Sequence, residues 1–162
     1  MTRISKELTI NDVARIPFFN DLGDNDLKLL AGILELHYYD KNAFIFKEHD
    51  IQDSFFFITE GTVSVIKDTQ DGGYEVLAEL NAPQVIGEMA IITPGTRSAS
   101  IKTLTDVTLV RFSCASFEKI IKVKPGLAIN ILRKAGNAVS TRLKKINQNY
   151  VNMIHSPKTK YN

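Results

Sequence analysis

The chain has 162 residues, 44% of them hydrophobic and 9% aromatic, enough for one well-packed core with an appendage. Its 20 Lys and Arg stand against 18 Asp and Glu, so the whole-molecule field favours neither attraction to a polyanion nor repulsion from it, and nucleic acid is not implied. The single cysteine, Cys114, excludes an internal disulfide, no run nears the roughly 20 apolar residues that cross a bilayer, and the first residues lack the apolar run of a secretory signal, so a reducing cytoplasm is the expected compartment.

In chain order, Thr9 and Asp12 make a capping arrangement for a short helix over 10–15, which Pro17 stops. Asp24 is the expected cap of a second helix reaching about 34, with Leu27, Leu30 and Leu34 at helical spacing. Over 36–112 the pattern becomes short β-branched and aromatic runs. Turn chemistry separates them at 48–50, at Glu60-Gly61, at Asp71-Gly72-Gly73, at Asn81-Ala82-Pro83 and at Thr93-Pro94-Gly95. Val63 and Val65 are expected on one face of a half-buried strand, with Thr62 and Ser64 on the other. The Asp71-Gly72-Gly73 turn joins that strand to 74–80 as a hairpin, and further strands are expected at 101–103 and 107–112. Many short, evenly spaced strands predict a barrel or jelly roll.

After Phe112 the helical period returns, with Ser113 as cap and Phe117, Ile120 and Ile121 on one side until Pro125 interrupts. In the long helix beyond Pro125, Leu132, Val139, Ile146 and Met153 occupy one heptad position, and Gly136, Leu143 and Tyr150 the other. One helix cannot bury such a seam, and it outruns a small barrel, so a homodimer through this helix is expected.

The segment from Gly87 to Ser100 holds the densest chemistry. A helical turn over 88–92 opening at Gly87 would direct unpaired N–H groups at phosphate oxygens. Arg97, carried back by Pro94-Gly95, adds a bidentate fork to the same anion. Glu88 only accepts hydrogen bonds and so suits a ribose hydroxyl. A ligand with one negative phosphate and one free hydroxyl fits between the two charges. The competing reading is a surface ion pair, which contributes about 0–1 kcal/mol.

Gly87-Glu88-Met89-Ala90, six further residues and then Arg97-Ser98-Ala99 resembles the phosphate-binding cassette of cyclic nucleotide-binding domains. The Glu88–Arg97 spacing is that of regulatory subunits of cAMP-dependent protein kinase. Phe44-Ile45-Phe46, Asp50, Asp53 and the run 57–63 resemble the strand–turn–strand stretch before the cassette there and in bacterial catabolite activator proteins. The resemblance covers about residue 16 to the end of the long helix. It implies a mainly β fold with flanking helices, a double-stranded β-helix (a jelly-roll-like β-roll) with N-terminal helices and a long C-terminal helix. The implied organisation is an N-terminal helical segment 1–35, a β-roll 36–124 with its cassette at 87–100, a lid and dimerisation helix 125–155, and a tail 156–162.

The same resemblance implies a 3′,5′-cyclic nucleotide ligand bound by Gly87, Glu88, Met89, Ala90, Arg97, Ser98 and Ala99. Arg97, the Ser98 hydroxyl and the amides of Ala90, Ser98 and Ala99 would meet the phosphate. Glu88 and the Gly87 backbone would take the ribose 2′-hydroxyl. Ser98 after the arginine favours cAMP over cGMP. The base would lie against Val63 or Val65 and the long helix, where Thr141, Arg142 and Asn147 are candidates. Arg142 resembles a recurrent arginine that approaches the pocket carboxylate; its competing reading is a solvated charge beside the seam. The family commonly has glycine before the aspartate at 50, whereas this chain has His49, so a position of positive φ carries a side chain.

Catalytic signatures are lacking: there is no nucleophile elbow, no Walker loop and no acid pair at fixed spacing. His37, His49 and His155 are scattered and form no metal-ligand pattern, so neither a metal nor an enzyme is expected. Cys114 reads as a half-buried residue at a helix start, a location that lowers a thiol pKa. Arg133, Lys134, Arg142, Lys144 and Lys145 read as a solvated helix face, and the residues after the seam are too few for a DNA-reading domain, so direct DNA binding is not expected. Three readings stand: a sensor that signals to another protein through its last helix, free-standing or as a fragment of a larger transcription regulator; an interaction protein that keeps the roll without a nucleotide; and, least favoured, a metal-dependent barrel enzyme.

Overall fold

The aromatic run Phe55-Phe56-Phe57 shows how the layers are arranged. In a strand successive side chains point to opposite faces, so three buried phenylalanines in a row require cover on both sides. The computed structural model, which describes residues 3–4 and 7–155, supplies that cover. Strand β4 (Ser54–Glu60) lies in a five-stranded sheet, order β1-β2-β9-β4-β7, with β1 (Arg3–Ile4), β2 (Glu35–Tyr39), β7 (Gln84–Ile86) and β9 (Val107–Ser113). A four-stranded sheet of order β3-β8-β5-β6 faces it, built from β3 (Phe44–Phe46), β5 (Thr62–Asp68), β6 (Tyr74–Asn81) and β8 (Ser100–Thr103). Every pairing is antiparallel, which makes the expected roll.

Phe56 and Ile58 point into the roll and pack with Val63, Ile86, Ile101, Val107 and Leu109. Phe55 and Phe57 point outward into a second core with Phe19, Leu30, Phe112, Phe117, Ile120 and Ile131. Helices α1 (Ile10–Ala14), α2 (Asp24–Ala31), α3 (Cys114–Val123) and α4 (Pro125–His155) supply that second layer. Each fully buried large side chain contributes about 1.5–3 kcal/mol, so a polar substitution at Phe55 or Phe57 would separate helices from sheet.

Local signals set most boundaries. The Thr9 hydroxyl accepts from Asp12 N at 3.2 Å and the Asp12 carboxylate accepts from Thr9 N at 2.9 Å, the reciprocal box expected at α1. Ser113 caps α3 by accepting from Ser116 N at 3.1 Å. Helix α2 differs from expectation: Gly23 is its cap, Asp24 is its first residue, and it ends at Ala31. Asp24 therefore acts through the helix dipole rather than through a capping bond, and Gly32 releases the chain into β2. Strand β5 differs as well. Val63 is buried and Val65 half-buried as expected, but Ser64 on the supposed open face is also covered, its hydroxyl donating to Lys102 O at 3.4 Å. The register shift beside Val65 and Ile66 leaves the extra residue, Leu77, on β6, so β5 keeps its alternation and Ile66, on the Ser64 side, is buried as well.

The long helix divides in two. Leu127, Ala128, Ile131 and Ala135 are buried against the second core, with Leu132 and Val139 half-buried. Residues 140–155 are exposed, including Leu143 at 56%, Ile146 at 56% and Tyr150 at 62%. No helix among the described residues is long and apolar enough to cross a membrane.

Candidate functional site: an arginine and a carboxylate in the roll

Gly87 makes the site geometrically feasible. Its φ of +69° is the left-handed conformation that glycine adopts without steric cost, and it turns the chain from β7 directly into a 3-10 turn, Glu88–Ile91. Ile92 closes that turn instead of extending it. In a 3-10 turn the fourth residue already bonds back, and Ala90 N donates to Gly87 O at 3.1 Å. The Ala90 amide expected to meet a phosphate is therefore occupied. Among the described residues, the Glu88 and Met89 amides have no acceptor.

Glu88 is fully buried and Arg97 only 4% exposed, yet they do not pair with each other. Arg97 lies back across the strands. Its Nη2 donates to Ser54 O at 2.7 Å and to Ser54 Oγ at 3.4 Å, and Nη1 reaches Gly87 O at 3.5 Å. The guanidinium stacks 4.1 Å over the Phe46 ring, and its Nε is buried with no partner. The nearest carboxylate is Asp53, at 3.8 Å. Burial pulls the Arg97 pKa down, with the field of Asp53 opposing it, but a guanidinium stays charged. The result is a desolvated cation with an unused donor, whose nearest counter-ion stands off at 3.8 Å and is shared with Arg111.

Asp53 is held from the other side by Arg111 Nη2 at 3.1 Å, and Arg111 Nη1 reaches Glu35 Oε2 at 3.2 Å. Burial raises the Glu35 pKa, but the hydrogen bonds from His37 and Arg111 outweigh it and leave the carboxyl below its usual range. Glu88 has a separate partner. Arg142 on α4 donates Nη1 to Oε1 at 2.8 Å and Nη2 to Oε2 at 3.5 Å, and also reaches Val85 O at 3.3 Å. The long helix is thus tied to the carboxylate at the start of the cassette.

The remaining site candidates separate. Ser98 is exposed and Ala99 half-buried beside Arg97, while Met89 is exposed on the rim. Val63 and Val65 belong to the roll interior. Thr141 and Asn147 are exposed and sit about 100° and 140° around α4 from Arg142, so they do not share its face. His49 takes φ +69°, the conformation anticipated for it, and its amide donates to Arg97 O at 2.9 Å while Arg97 N donates to Asp50 O at 2.8 Å. Cys114 does not follow its helix start: burial, with Asp53 adding to it, raises the thiol pKa, and Sγ lies 3.4 Å from Ala90 O. No group of three or more metal-ligating side chains occurs among the described residues. A cavity of about 750 Å³ is a groove on the outer face of the five-stranded sheet between Phe18, Tyr38 and Val85, and neither Glu88 nor Arg97 lines it.

Sequence reasoning missed Phe46 and Ser54, which hold the arginine, and Glu48 and Lys67, which hold the backbone beside it. These contacts span 19 to 51 residues of chain, as from Phe46 to Arg97, and no local pattern announces them.

Comparison with known proteins agrees with this geometry. The chain is 30% identical over 132 residues to the cAMP-dependent protein kinase type II regulatory subunit of Drosophila melanogaster, a match covering 81% of this chain and 34% of that protein. It spans between 6% and 62% of the length of the curated relatives it matches. A crystal structure of a cyclic nucleotide-binding domain from Methylobacillus flagellatus superposes with a TM-score of 0.73 at 24% identity, over 84% of this chain and 76% of the other. The catabolite activator protein of Thermus thermophilus gives a TM-score of 0.69 at 20% identity, over 85% of this chain and 62% of that one, and at such identities both likenesses establish the fold alone. The model of the cyclic nucleotide-binding domain family matches residues 36–124, and the chain belongs to that family.

Proposed function

We propose that this chain is a cytoplasmic, non-catalytic sensor module that binds cAMP and passes its state through α4 to a protein partner. The observation that carries the reading is Arg97, buried and charged, with an unpartnered Nε and no carboxylate closer than 3.8 Å. A monoanionic cyclic phosphate supplies a closer counter-charge than Asp53. Arg97 and the Ser98 hydroxyl donate to its oxygens, together with the amides of Ser98 and Ala99. Glu88 accepts the ribose 2′-hydroxyl proton beside the Gly87 backbone, and the base rests on Val63 and Val65 under the helix. Because Arg142 already occupies Glu88, an incoming hydroxyl changes the bond that ties α4 to the pocket. Differential affinity of the ligand for the two helix arrangements then sets the switch, about 5.5 kcal/mol being needed to move 1:99 to 99:1.

Calorimetric titration with cAMP and cGMP tests the reading. One site per chain is expected, with cAMP the tighter ligand, and ligand at 100 times Kd should stabilise by about 2.7 kcal/mol. No heat and no thermal shift with either nucleotide would leave the alternative, an interaction protein that keeps the roll. That alternative draws on Arg97 being already bonded to Ser54 and Glu88 to Arg142.

The exposed half of α4 supports a second copy as partner. Leu143, Ile146, Tyr150 and Met153 continue the seam beyond the core, and each is more than half exposed in the single chain. Sedimentation should give a dimer that Leu143→Glu with Ile146→Glu dissociates; a monomeric unaltered chain would refute the pairing.

A further inference from the structure

The limb carrying Arg97, Ser98 and Ala99 is gripped by two donors from other parts of the chain. His49 N donates to Arg97 O at 2.9 Å, and Lys67 Nζ donates to Ser98 O at 3.0 Å. A trans peptide carries its C=O and N–H on opposite sides. Fixing the Arg97 carbonyl therefore turns the Ser98 N–H away from His49. Fixing the Ser98 carbonyl likewise turns the Ala99 N–H away from Lys67. Among the described residues, neither amide has an acceptor.

Lys67 is itself held. It reaches across from β5 to the carboxylate of Glu48, whose side chain is only 3% exposed. The other Glu48 oxygen accepts from Asp68 N at 3.0 Å, and the Glu48 amide donates to Ser100 Oγ at 2.8 Å. His49 Nε2 lies 3.7 Å from the same carboxylate. The hydrogen bond from Lys67, followed by that from the Asp68 amide, keeps Glu48 below the usual carboxylate range. An ion pair is therefore locked against the carbonyl side of the Ser98–Ala99 peptide. An ammonium on a carbonyl oxygen polarises the whole peptide and strengthens its N–H as a donor.

We propose that Lys67, braced by Glu48, is a positioning residue for anion binding: it fixes and polarises the Ser98–Ala99 peptide so that the Ala99 N–H is held ready for a phosphate oxygen. This rests on reading 97–99 as the phosphate limb. Lys67 does not touch the anion; it acts through a peptide bond.

The test uses the ¹⁵N-labelled chain with Lys67→Met, which keeps the stem and removes the donor, and Lys67→Arg, which keeps a donor. Lys67 is nearly half exposed, so the fold should tolerate both. In the unliganded protein, Lys67→Met should move the Ala99 amide resonance to lower ¹H and ¹⁵N shift, and Lys67→Arg should largely restore it. Affinity for cAMP should fall about tenfold, equal to 1.4 kcal/mol, in the methionine variant and recover in the arginine variant. A purely structural role would lower the Tm without singling out Ala99. An unmoved Ala99 resonance, or equal affinities in the unaltered and methionine forms, overturns the proposal. If the unaltered chain binds no cAMP, the functional reading fails while the Ala99 shift still decides the role of Lys67.

Discussion

Replacing Arg97 by alanine should weaken cyclic nucleotide binding roughly 10- to 150-fold while leaving the unliganded fold as stable as before or more so. The binding loss comes from removing a charged donor worth about 1.5–3 kcal/mol. Stability should move the other way. Arg97 is 4% exposed, its Nε is unpartnered and its closest carboxylate is at 3.8 Å, so the empty site carries an incompletely compensated buried charge. Stacking on Phe46 returns about 0.5–2 kcal/mol, less than the several kcal/mol of desolvation. Arg97→Lys should fail to restore affinity, because an ammonium cannot span Ser54 O, Gly87 O and a phosphate with one planar fork. Titration calorimetry beside thermal melts reads both effects. Unchanged affinity in Arg97→Ala, or a Tm that falls as far as that of a core truncation, would remove Arg97 from the site.

Legibility in the sequence followed the range of each interaction. The Thr9 box, the Ser113 cap, the hairpin at Asp71-Gly72-Gly73 and the turn opening at Gly87 depend on residues a few positions apart, and all are present. The positive φ at His49 was visible because a family pattern puts glycine there, and the side chain did not change the backbone. Ser64 misled because alternation assumes one wet face, whereas β5 is covered on both. The partners of the two charges were only half legible. Arg142 reaches Glu88 as the resemblance suggested, 54 residues away. Phe46 and Ser54 under Arg97, and Lys67 behind Ser98, had no local signature because sheet pairing brings them together. Local chemistry thus announced the backbone of the site. What holds its charges came from the sheet register.

Gly87→Ala should reproduce most of the Arg97→Ala binding defect without replacing a charged side chain. A side chain at φ +69° costs about 1–2 kcal/mol, so the unliganded protein loses stability that Arg97→Ala does not. The added Cβ would also lie 2.6 Å from Arg97 Nη1 and 3.5 Å from Ser54 O. The backbone contact is ordinary, so the arginine must give way. It can move only by leaving the Ser54 carbonyl and the Phe46 ring, the contacts that place its fork. The two substitutions therefore act on one object and should not add. In the Arg97→Ala background the clash is absent, and Gly87→Ala should retain its backbone strain while causing little further loss of affinity. A double-mutant cycle on cyclic nucleotide binding should give a coupling of at least about 1 kcal/mol, within the range for residues in contact. Additivity within about 0.5 kcal/mol would mean that the glycine serves the turn alone and that the arginine is positioned by something else.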